Sequence, residues 1–107
     1  MKMAFIYLIE SDNEHEKLYK IGFTRNNDVK KRLKQLKIGN TSKLTIIEKF
    51  ETNHNRKVEI TLHNIYSVKN IDGEWFKLEN YDVDNFLENC SKIEKNFDLL
   101  ENENPYY

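Results

Sequence analysis

An α/β domain of the α+β kind, with a small three-stranded, mainly antiparallel sheet flanked by helices, is the fold this sequence predicts. Three observations lead there. Residues 3–9 (MAFIYLI) and 18–24 (LYKIGFT) are apolar runs of strand length with a polar stretch between them. The apolar spacing then switches to a helical period at Val29, Leu33 and Leu36. A third strand-like run at 44–50 precedes two further stretches of helical spacing. A chain of 107 residues has room for one domain, expected over residues 1–98, with 99–107 as a frayed tail.

Taken in order, the first run is apolar on both faces, as a central strand is. Residues 10–17 (ESDNEHEK) read as a loop, and the second run pairs back on the first as an antiparallel hairpin with a long connection. Asn26, Asn27 and Asp28 are N-cap types ahead of the first helix, and Gly39-Asn40 is a natural stop for it. Residues 52–55 offer several caps for a second helix over residues 56–66, which buries Val58, Leu62 and Ile65. Asp72-Gly73 marks a turn, and residues 74–78 (EWFKL) form a short extended segment. A last helix starting near Asp82 buries Val83, Phe86, Leu87, Cys90 and Ile93.

The single cysteine, Cys90, excludes an internal disulfide scaffold, and no apolar run approaches the ~18 residues that a spanning helix needs. The N-terminal apolar stretch is too short for a signal peptide and lacks a small-residue cleavage site. A soluble, intracellular, cytoplasmic protein with no membrane partner is therefore expected. The net charge of -1 hides a split. Residues 1–69 hold 14 Lys and Arg against 8 Asp and Glu, whereas residues 70–107 hold 3 against 10. Residues 17–37 carry eight basic side chains and one acid, Asp28. Binding follows local potential rather than net charge, so this segment opens the way to a nucleic-acid partner. A solvated helix face balanced by an acidic tail would carry the same pattern.

Several positions stand out chemically. Tyr7 sits mid-strand among apolar neighbours, where a tyrosine is either core or functional. Lys20 lies inside an apolar strand, on the same face as Leu18 and Gly22, and must snorkel out or meet an anion. Gly22 weakens a strand unless backbone or a ligand must come close. Arg32 falls about 60° from the centre of the Val29/Leu33/Leu36 stripe, at the margin of the buried face, while Lys31 and Lys34 look away. Glu59, His63 and Tyr66 recur at i, i+4, i+7 on the second helix. A Glu–His pair at that spacing can share a metal or make a plain hydrogen bond.

FIYLIE (5–10), LYKIGFT (18–24), VKKRLKQL (29–36), VEITLHNIY (58–66) and GEWF (73–76) together resemble the GIY-YIG nuclease superfamily. The likeness is to its small single-domain branch of phages and large DNA viruses, in which the second motif reads KIG. It covers residues 5–78 and implies a GIY-YIG-like fold. Carried over position by position, it implies that Tyr7 is the general base and that Lys20 relays its proton or holds the phosphate. It gives Arg32 the pentavalent phosphate and Glu59 one divalent metal ion. Phe5 replaces the first-motif glycine, Lys20 a tyrosine, and Leu36 stands where many relatives carry histidine. Tyr19, His63 and Asn80 are accessory candidates.

These assignments are chemically coherent. A tyrosine of pKa near ~10 needs nearby cations to act as a base at neutral pH, and Lys20 and Arg32 supply them. One carboxylate with phosphate oxygens and waters suits Mg²⁺ or Mn²⁺ rather than zinc. The resemblance thus implies a metal-dependent endonuclease acting on DNA, most simply double-stranded. Lys30, Lys31 and Lys34 would contact phosphates. Specific cleavage would require a homodimer or a separate DNA-binding subunit. The competing reading is a catalytically inactive nucleic-acid-binding or protein-interaction module on the same fold.

Overall fold

The computed structural model describes residues 4–25, 30–31, 33–34 and 42–103. Its strands are β1 (Ala4–Asp12), β2 (Lys17–Thr24), β3 (Lys43–Thr52), β4 (Asn70–Asp72) and β5 (Trp75–Phe76). Its helices are α1 (Asn55–Ile65), α2 (Asn80–Asp84) and α3 (Phe86–Glu103), with a 3-10 turn at Ser67–Lys69. Lys30, Lys31, Leu33 and Lys34 are also helical. The α+β class agrees with the sequence, but the sheet has five strands in the order β3-β1-β2-β5-β4, all antiparallel, where three were expected. The two additions are three and two residues long, too short to show an alternating pattern.

β1 is the central strand of the original three, and both of its faces are covered. Ile6 and Leu8 join Ile21, Val58, Leu62, Tyr66, Phe76, Phe86 and Cys90 in the larger core beneath the helices. Phe5, Tyr7 and Ile9 turn the other way and pack with Leu44, against Leu33, Ile46 and Trp75. Leu33 therefore sets the helical residues around it over the Tyr7 face.

Several expectations are corrected. The β1–β2 connection is a tight turn rather than a long loop, because β1 continues through polar residues to Asp12 while hydrogen-bonded on both sides. Asn13 Oδ1 closes the turn by accepting the N–H groups of His15 (3.0 Å) and Glu16 (2.9 Å). On α1 the buried stripe is Val58, Leu62 and Tyr66, spaced four apart, and Ile65 is exposed. His54 is the N-cap of that helix and makes no side-chain capping bond. Instead its buried ring binds Asp98 (Nε2 to Oδ1, 2.8 Å), while Glu94 accepts from Thr52 Oγ1 and from the Asn53 N–H. These bonds tie α3 to the β3–α1 junction.

The last helical stretch is two helices rather than one. Asp82 Oδ2 accepts the Glu79 N–H (2.8 Å) and pairs with Lys69 (2.6 Å), holding α2 on the 3-10 turn, and the chain restarts as α3 after Asn85. Leu87, expected to be buried, is exposed, whereas Cys90 lies fully buried beside Phe86 and Ile93, as the spacing predicts. Burial pushes its thiol up to about 12. Cys90 should therefore react with a thiol reagent only as fast as the protein opens, and rapid labelling of the folded chain would contradict this packing.

Candidate active site

Strand register assembles one polar constellation on the Tyr7 face. Tyr7 pairs with Gly22, Ile9 with Lys20, and Lys20 with Trp75, so Tyr7, Gly22, Lys20 and Trp75 share one face across three adjacent strands. The Tyr7 ring lies directly above Gly22. A Cβ built on that glycine would sit 2.7 Å from Tyr7 Cζ, closer still to its hydroxyl, and 2.9 Å from Glu74 Oε1. The glycine thus makes room for a phenol and a carboxylate over the same point of β2. Gly22→Ala should cost about 1–3 kcal/mol by overpacking, because Tyr7 is held among Phe5, Ile9 and Leu44 and cannot retreat. Urea unfolding measures this, and an unchanged midpoint would contradict the close approach.

Lys20 meets an anion, the second of its two expected solutions. Its side chain is 11% exposed, and its Nζ lies 3.0 Å from Glu74 Oε1 and 5.5 Å from the Trp75 ring centre. The partner is a residue that the sequence left without a role. Glu74 stands at the start of the GEWF stretch, and its backbone carbonyl accepts the Ile21 N–H (3.1 Å), so the β2–β5 ladder fixes its position.

Glu59 reaches the site from the edge. Where β5 ends, the Ile21 carbonyl is left open, and the Nε2–H of His63 donates to it (2.9 Å). That bond lays the Glu59/His63 stripe of α1 along the exposed edge of β2. His63 also stands edge-on to Phe76, with ring centres 5.0 Å apart. Its place is structural, joining helix to sheet beside Glu59. Burial raises the Glu59 pKa above the ordinary carboxylate value, and Glu74 raises it further, against the lowering effect of His63, Arg56 and Lys20. Among the described residues, Glu59 Oε2 is buried with no hydrogen-bond partner. A buried carboxylate oxygen left unpaired suits a hard divalent cation. The only cysteine lies in the core of the opposite face, so no thiolate competes.

Other candidates fall elsewhere. Strand alternation turns Tyr19 to the opposite face from Lys20, where its hydroxyl donates to Glu10 (3.2 Å). Asn80 is exposed on the first turn of α2, a helix attached to α3 and the Lys69 turn. Lys30, Lys31 and Lys34 are exposed, and Arg32 lies outside the described residues. Lys49 was not singled out from the sequence. It pairs with Tyr7 across β1–β3, with its Nζ 5.0 Å from the Phe5 ring centre, and so adds an exposed cation to this face.

A family model for the T5orf172 domain matches residues 4–91, which include every strand and helix that builds this face. The chain belongs to the T5orf172 domain family. That family is phage-associated and grouped with nuclease-related domains, consistent with a nuclease-like or DNA-binding module. No curated protein and no solved structure gives a significant match. In this T5orf172 domain the matched region ends within α3, just past Cys90. No helix among the described residues is long and apolar enough to cross a membrane.

Proposed function

We propose that this domain is a metal-dependent endonuclease, of the GIY-YIG kind with a KIG second motif, that hydrolyses DNA phosphodiester bonds on the Tyr7 face of its sheet. The observation that carries this reading is the meeting of a phenol and a carboxylate over a bare glycine, beside a buried lysine and a further carboxylate on the neighbouring helix. The Tyr7 phenol and the Glu74 carboxylate stand over Gly22, Lys20 pairs with that carboxylate, and the unpaired Glu59 oxygen lies on the helix joined to the sheet edge through His63. Packing alone gives no reason to bring these groups together.

In this reading Tyr7 takes the proton of the attacking water. Lys20 and Arg32 neutralise the phosphate as it gathers charge in the transition state. Glu59 holds Mg²⁺ or Mn²⁺, which when bound supplies Lewis-acid stabilisation of the phosphate oxygens. Lys30, Lys31 and Lys34, with Lys49, grip neighbouring phosphates without reading sequence. Each lysine removed should flatten the slope of log K against log[salt] by about one. A triple Lys30/Lys31/Lys34→Ala variant that binds duplex DNA unchanged would reduce those residues to a solvated face. One small domain serves one strand, so paired cuts would come from a homodimer or a separate DNA-binding subunit.

Incubation of supercoiled plasmid with the protein and Mg²⁺ or Mn²⁺ tests the proposal. The expected result is nicked circles, suppressed by chelator. DNA binding without cleavage under either metal would transfer the function to a catalytically inactive binding module on the same fold.

A further inference from the structure

We propose that Glu74 is an exchangeable carboxylate, seated on the Lys20 ammonium in the DNA-free protein and turning to the divalent cation beside Glu59 when a phosphate takes its place on Lys20. This rests on the metal-dependent reading above and assigns a second protein ligand to that cation.

Three observations carry it. First, a lysine as buried as Lys20 needs an anion, and among the described residues its ion-pair partner is Glu74, at 3.0 Å. A phosphate oxygen is the same kind of partner, so substrate and Glu74 compete for one ammonium. Second, Glu74 Oε1 stands over Gly22 beside the Tyr7 hydroxyl, on the ground that a phosphate attacked with help from Tyr7 would have to occupy. Glu74 must leave for substrate to enter. The side chains differ in their freedom to do so: that of Lys20 is 11% exposed and lies over Trp75, while that of Glu74 is 38% exposed. Third, the carboxylate has somewhere to go. Ile21 joins the two places, since its N–H donates to the Glu74 carbonyl while its carbonyl accepts from His63, one turn along α1 from Glu59, whose Oε2 is buried and unpaired among the described residues. A cation held there by Glu59 gives the Glu74 carboxylate a second positive partner.

The exchange makes the two ligands cooperative. Metal draws Glu74 off Lys20 and clears the ammonium for phosphate; phosphate on Lys20 frees Glu74 for metal. Reciprocal coupling of this sort is typically ~5–150-fold in affinity.

Mn²⁺ binding to the full chain, followed by electron paramagnetic resonance without DNA, tests this directly. Lys20→Met should tighten Mn²⁺ binding about tenfold, a gain within that coupling range. Part of any gain would come from removing a positive charge, so Lys20→Met is also measured on a Glu74→Gln background, where the contribution of Glu74 must vanish. Glu59→Gln should abolish binding. A second measurement covers the case in which Lys20→Met does not fold. In a Tyr7→Phe background, which protects the DNA, adding a duplex should tighten Mn²⁺ binding about tenfold, and Glu74→Gln should remove the increase. If Glu59→Gln abolishes Mn²⁺ binding while Glu74→Gln changes neither the Lys20→Met gain nor the response to duplex, Glu74 is only the structural partner of Lys20. The exchange is then overturned, and the nuclease reading survives. If Glu59→Gln leaves Mn²⁺ affinity unchanged, or the wild type binds none, the metal reading of the site fails and the exchange with it.

Discussion

Tyr7→Phe should cut DNA at least ~10²-fold more slowly than the wild type while unfolding at nearly the same temperature. The substitution keeps the ring that packs with Phe5, Ile9 and Leu44 and deletes only the hydroxyl above Gly22. If that hydroxyl takes a proton from water, its loss leaves only carboxylates that are placed elsewhere on this face among the described residues: Glu74 is paired with Lys20, and Glu51 stands opposite Phe5 rather than Tyr7. Single-turnover rates at saturating protein measure the effect, with DNA binding checked alongside. Cleavage by Tyr7→Phe at the wild-type rate would return Tyr7 to the role of a core tyrosine.

Glu59→Gln should lose metal-dependent cleavage and yet gain stability. The wild-type carboxylate is disfavoured first by burial and then by Glu74, so its pKa in the folded state lies above the ordinary value of 4.5. An acid of that kind is best tolerated when protonated. Its favourable contribution is complete below the unfolded value and is lost as pH rises through the folded value. At neutral pH the folded protein bears the cost of the charge, and glutamine removes it. A melting temperature higher by roughly 2–5 °C is expected, modest because the side chain is only half-buried. The gain should shrink on acidification and disappear below the ordinary glutamate pKa. Mn²⁺ should raise the wild-type melting temperature and leave that of the variant unchanged. A variant less stable than wild type at neutral pH would mean that Glu59 serves the fold.

How much of this site is legible in the sequence depends on the kind of signal each residue leaves. Lys20 and Gly22 are legible because strand alternation fixes their shared face before any partner is known, and a lysine inside an apolar strand demands an anion; Tyr7 joins that face only through the β1–β2 register, which spacing within a strand does not encode. Which anion it meets is not legible. Glu74 sits beside a glycine turn with no periodicity, and only the two-residue strand β5 brings it to β2.

Lys49 is hidden for a different reason. Strict alternation from Leu44 would put Ile46 and Glu48 on its face, but β3 shifts register between its pairings with Ile9 and Leu8, so Lys49 turns to Tyr7 instead. The Glu59/His63 stripe is visible in helical spacing. The Ile21 carbonyl that holds it to the sheet edge is a long-range partner that spacing does not encode. Tyr19 illustrates the converse, since proximity in sequence to Lys20 means the opposite face of a strand.

The central claim is that the Tyr7 face hydrolyses phosphodiester bonds with a cation held by Glu59. It is tested most directly by single-turnover cleavage of a labelled duplex in Mn²⁺, wild type beside Glu59→Gln, with bound DNA measured in the same samples. Both proteins should bind the duplex, the wild type should cut it, and Glu59→Gln should not cut it at any Mn²⁺ concentration. Equal cutting by the two proteins, with the same requirement for metal, would contradict the claim.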